Sequence, residues 1–140
     1  MRIWGVALLV GMLTFAAVAQ SPETFKSRLA PVALDAAMKA AIAGSGNASA
    51  ILTGTKLVVS GSFDGLKSNA TMAHIHQGTA TGVRGDKILD LTVTHAMTGT
   101  ISGKFDLTPE QVASLEKGKW YVQIHSEKAP AGNLWGWLLK

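Results

Sequence analysis

The sequence predicts an antiparallel all-β domain carrying one short helix, and three observations support that prediction. From Ser49 onward, short runs rich in Val, Ile and Thr are separated by Gly, Asn and Asp, the texture of strands joined by tight turns. Lys56 to Phe63 sets Leu57, Val59, Gly61 and Phe63 against Val58, Ser60 and Ser62, so one face is apolar and the other small or polar, as a half-buried strand requires. Only one segment after Ser49 shows helix signals. There Thr108 is positioned to cap, Pro109 takes the first helical position, Gln111 completes a capping box and Gly118 stops the run.

In chain order, Ile3 to Ala19 is an apolar run behind the single charge of Arg2, ending in the small-x-small site Ala17-Val18-Ala19. This order predicts a secretory signal peptide over residues 1–19, cleaved so that the mature domain, 20–140, starts at Gln20. A retained anchor fits on length alone, since a membrane span needs about 20 apolar residues. The small residues and the polar Ser21-Pro22-Glu23 that follow favour cleavage, and with it a periplasmic or secreted protein without a stable membrane anchor. Leu34 to Ile42 is alanine-rich and has good helix propensity, yet it lies between Pro31 and Gly44-Ser45-Gly46. The strand candidates are Lys56 to Phe63, Thr71 to His76, Lys87 to Thr94, Thr98 to Leu107, Trp120 to His125 and Asn133 to Leu139, punctuated by glycine-containing turns. Within the helix, Val112 and Leu115 lie three apart and face the sheets together. No repeat or linker divides the mature chain, which reads as one domain.

The formal net charge of +4 falls to +3 once Arg2 is removed, with no cluster of Lys or Arg, and this argues against nucleic acid as a partner. The chain has no cysteine. An exported domain of this size must therefore draw its stability from apolar packing, and any metal site must use nitrogen, oxygen or thioether ligands.

The mature chain also resembles the CHRD family, named after repeats in the extracellular protein chordin and found in bacterial exported proteins. The resemblance is carried by Ala73-His74-Ile75-His76-Gln77-Gly78 with Gly82 and Gly85, and by Leu107-Thr108-Pro109-Glu110-Gln111 and Gly118. Tyr121-Val122-Gln123-Ile124-His125-Ser126 and Pro130 with Gly132 complete it. Departures from the pattern come at its end, in Gln123 to Ser126 and Trp135-Gly136-Trp137. The resemblance implies an immunoglobulin-like or superoxide-dismutase-like β-sandwich, with Phe25 to Leu29, and Ala36 to Ile42 as well, in strands despite the local helix propensity.

Two histidines spaced by one residue leave a strand on the same face, roughly 7 Å apart, so His74 and His76 can converge on one ion while Ala73 and Ile75 face the core. On a second strand His125 shares a face with Tyr121 and Gln123, opposite Val122 and Ile124, and supplies a third imidazole. Three neutral nitrogens with no thiolate suit Cu(II) or Zn(II). His-x-His before Gly, and Ile124 to Lys128 before Gly132, are similar to the copper-ligand segments of copper-zinc superoxide dismutases. The bridging histidine and zinc-site aspartate of those enzymes have no clear counterpart. The alternative, hydrogen-bonded structural histidines, stands beside the metal reading.

His95 reads as a solvated turn residue. Met72 and Met97 read as core filler or as soft copper ligands. Gly78 to Gly85 lacks the lysine of a phosphate loop and reads as a turn, with Arg84 and Asp86 placed to pair across it. Ser126 beside His125 forms no triad, because neighbours on a strand point to opposite faces. The carboxylates show no acid–base arrangement, and no catalytic residue is assigned. Trp135 and Trp137 share one face of the last strand and read as core, or, if that face is exposed, as an aromatic platform for a partner protein or glycan. The preferred reading is an exported metal-binding protein with copper or zinc at His74, His76 and His125, serving metal handling or assembly. A metal-free extracytoplasmic interaction or adhesion module ranks next, and a copper-dependent redox enzyme third.

Overall fold

The computed structural model describes residues 13–14 and 20–140. The expected signal segment, residues 1–19, therefore lies outside the described residues apart from Leu13 and Thr14. Eight strands, β1 (Glu23–Pro31), β2 (Ser45–Thr53), β3 (Lys56–Asp64), β4 (Ala70–Gln77), β5 (Asp86–Val93), β6 (Gly99–Asp106), β7 (Trp120–Ser126) and β8 (Ala129–Trp137), are joined by turns and one helix, α1 (Pro109–Glu116). Their spatial order is β1-β2-β3-β6-β5-β4-β7-β8, closing on itself, with every neighbouring pair antiparallel.

The expected all-β antiparallel class with one short helix is what the chain adopts. The expected sandwich is corrected to a closed barrel, although its two halves remain visible. Long ladders run through β1-β2-β3-β6 and through β5-β4-β7-β8. Two short seams join these halves: Ala30↔Trp135 with Pro31↔Leu134, and Thr92↔Ser102 with Val93↔Ile101. A sandwich would leave strands at these edges with unpaired backbone groups, and seam pairing removes that liability.

The core follows the period-2 reading. Leu57, Val59 and Phe63 of β3 are buried, as are Ala48, Ala50 and Leu52 of β2, Ala73 and Ile75 of β4, and Val122 and Ile124 of β7. Phe25 and Leu29 lie in β1, as the family resemblance implied. Ala36 to Ile42 is not a strand: it holds a single 3₁₀ turn, Ala37–Ala40, begun where the Met38 N–H donates to Asp35 Oδ1 at 2.9 Å. The segment is mostly alanine, with little side chain to bury in a sheet, and only Ile42 is buried.

The helix is built as its sequence signals require. Gln111 N donates to Thr108 Oγ1 at 3.2 Å and Thr108 N donates to Gln111 Oε1 at 3.0 Å, while Gly118, at φ 70°, ends the segment. Leu115 is fully buried, so α1 adds to the same core.

The last strand corrects another expectation. Leu134 and Leu138 take the inner face, and Trp135 and Trp137 lie half-buried on the outer one, against Tyr121. Gly136, on the inner face, explains the choice: a Cβ there would fall onto Ser27 Oγ and the Arg28 carbonyl of β1. No large side chain fits inside at the point where β8 passes β1.

Candidate metal centre

β4 lies between β5 and β7, and its outer face carries Met72, His74 and His76 in a row. Register with β7 sets Met72 opposite His125, His74 opposite Gln123 and His76 opposite Tyr121. His125 therefore stands diagonal to His74, close enough for long side chains to meet. The ring centroids of His74 and His125 are 4.9 Å apart and those of His74 and His76 5.8 Å. One ligand nitrogen from each of the three rings lies within 4.8 Å of the others. All three histidines singled out from the sequence thus come together.

Two of the three rings are oriented by the backbone. His76 Nδ1 lies 3.0 Å from the Gly85 carbonyl and His125 Nδ1 lies 2.8 Å from the Pro130 carbonyl. A carbonyl only accepts, so each Nδ1 carries the proton and each Nε2 presents a bare lone pair. Both Nε2 atoms are buried without a hydrogen-bond partner. Gly85 earns its place by close approach, since a Cβ there would fall onto the Gln77 carbonyl. Tyr121 Oη donates to the Gly85 carbonyl at 3.0 Å and accepts from the Gly85 N–H at 3.2 Å, tying the loop to β7. Beyond the β7–β8 turn, Gly132 sits at φ 127°, where Gln123 Nε2 donates to the Ala131 carbonyl at 2.8 Å.

Burial, the nearby His125 and Lys87 hold His74 below the ordinary histidine range, with Asp90 opposing them. Its Nε2 lies 3.5 Å from Asp90 Oδ1, itself bonded to Lys87 Nζ at 3.0 Å. Burial also lowers His125, against the opposing bond to Pro130, and His76 lowers it further. Both are therefore neutral at pH 7, the form in which imidazole binds a metal.

A comparison with protein families matches residues 29–138 to the CHRD domain. The chain belongs to the CHRD domain family. No curated protein and no solved structure matches it. The CHRD match takes in all three histidines together with Gly85 and Pro130, whose carbonyls aim two of the rings.

Other sequence expectations resolve around this CHRD scaffold. His95 is an exposed turn residue, as anticipated. Met72 and Met97 are about half exposed, at 49% and 51%, so neither is core filler. Ser126 Oγ is engaged by Asn133 Nδ2 at 3.0 Å and forms no triad. Arg84 does not pair with Asp86: among the described residues its guanidinium lies over the Trp135 ring, 5.5 Å from the centroid. Tyr121 was expected on the face of His125, but its bond to the Gly85 loop was not, nor were the place of Asp90 beside His74 and the two orienting carbonyls. Asp90 faces His74 only through the β4–β5 register, and backbone carbonyls leave no trace in residue type.

Proposed function

We propose that this CHRD chain is an exported metal-binding β-barrel protein that holds one copper or zinc ion at His74, His76 and His125 and serves metal handling or assembly. The observation that carries the reading is the pair of buried Nε2 lone pairs on His76 and His125, each with its Nδ1 proton held by a backbone carbonyl and each without a partner. A structural histidine would use both nitrogens. A ligand histidine uses one for its orienting bond and keeps the other for the ion. Three nitrogen ligands leave one coordination position open on a tetrahedral ion, and the ion would supply Lewis acidity there. Export rests on the Arg2 charge, the apolar run and the Ala17-Val18-Ala19 site, with the mature chain starting at Gln20.

The test is titration calorimetry with Cu(II) and Zn(II) on untagged mature protein and its four single His→Ala variants. His74→Ala, His76→Ala and His125→Ala should each lose affinity about a hundredfold or more, while His95→Ala should match the wild type. Equal affinities throughout would leave the histidines structural. The second reading, a metal-free interaction or adhesion module, would then lead, favoured by the outward-facing Trp135 and Trp137 beside Tyr121.

A further inference from the structure

Beside the histidine cluster lies a cavity of about 390 Å³ bordered by His76, His125, Arg84, Asp86, Tyr121 and Trp135. That volume is of the order that holds small organic ligands. Its polar equipment is uneven. The Arg84 guanidinium makes no ion pair among the described residues and lies over the Trp135 ring, with Cζ 5.5 Å from the centroid. The indole Nε1 of Trp135 is a buried donor with no acceptor. Buried as it is, that N–H is closed to a ligand in the cavity, so the exposed guanidinium is the group that an incoming anion would meet. Against the guanidinium stands one carboxylate, Asp86, exposed at the start of β5.

We propose that this cavity binds a small carboxylate, gripped by the Arg84 guanidinium and directed by the imidazole cluster toward the ion held there. The inference rests on the metal reading above. It assigns the fourth, open position to an external ligand selected by this chain's own residues. Guanidinium and carboxylate match in a planar two-bond fork, so charge and shape both favour the pair. Asp86 limits the affinity through like-charge repulsion.

The experiment uses the full mature chain loaded with Co(II), whose visible absorption reports changes in coordination, titrated with benzoate and with its uncharged analogue benzamide. Benzoate should shift the spectrum and benzamide should not. Arg84→Gln should weaken benzoate about tenfold or more with Co(II) affinity unchanged, and Asp86→Asn should strengthen it. Arg84 and Asp86 are exposed, so these variants should fold, which a thermal melt checks. Co(II) uptake with no benzoate response, or with equal affinities across the variants, overturns this proposal and leaves the metal reading standing. Absence of Co(II) uptake overturns this proposal, and the metal reading falls with it only if Cu(II) and Zn(II) also fail to bind in the calorimetric titration.

Discussion

The three imidazoles differ in what the fold asks of them. Removing the buried His125 empties space in the barrel wall and takes the donor from the Pro130 carbonyl, whereas removing the half-buried His76 leaves the Gly85 carbonyl still bonded to Tyr121 Oη. His125→Ala should therefore destabilise the metal-free protein by about 1–3 kcal/mol and His76→Ala by clearly less, as urea unfolding would measure. The depressed ionisation of His74 and His125 has a signed consequence. In the unfolded chain both take the ordinary value of about 6.5. Above that pH they are neutral in both states and the fold keeps its full stability. Below it the unfolded chain takes up protons that the fold resists, and stability falls progressively toward the lower folded values. Calorimetric melting of the metal-free protein from pH 7.5 to pH 5 should show a declining midpoint, and the decline should be smaller in a His74→Ala, His125→Ala double variant. A metal present in excess should raise the midpoint at pH 7.5 and lose that effect as the ligands protonate.

At the scale of elements, α1 is the most locally determined piece, because its capping box closes within four residues. Thr108→Ala should cost about 1 kcal/mol in chemical unfolding without changing the barrel. The same locality explains what could be read in advance. The alternation of β3, the cap of α1 and the shared face of His74 and His76 depend on neighbours in sequence and were legible. The convergence of His125 on that face depends on the β4–β7 register, and alternation along its own strand offered it only as a third imidazole within reach. The tryptophans of β8 misled because alternation names two faces without saying which is inside. Aromatic bulk suggested Trp135 and Trp137, but the need for Gly136 beneath β1 placed Leu134 and Leu138 there instead. The alanine run at Ala36 to Ile42 was misread in a different way: it adopts a 3₁₀ turn where the resemblance implied a strand.

For the molecule as a whole, closure depends on seams of two residue pairs each, and the one between β1 and β8 passes over Gly136. Gly136→Val should open that seam, expose two strand edges and bring dimers or larger species into a size-exclusion profile, while wild type elutes without them. The seam is extended where Lys26 and Leu139 exchange both backbone hydrogen bonds, at 2.7 and 3.0 Å, and Lys140 Nζ reaches Glu23 Oε1 at 3.0 Å. The first and last strands of the barrel thus sit side by side, close enough for a short bridge to join residues 20 and 140 into a ring. A Gly/Ser linker from Lys140 to Gln20 would complete that ring, and the chain could then be opened afresh at the Gly54 turn between β2 and β3 with every ladder intact. The architecture that gathers the histidines is thus indifferent to the point at which the run of strands is opened.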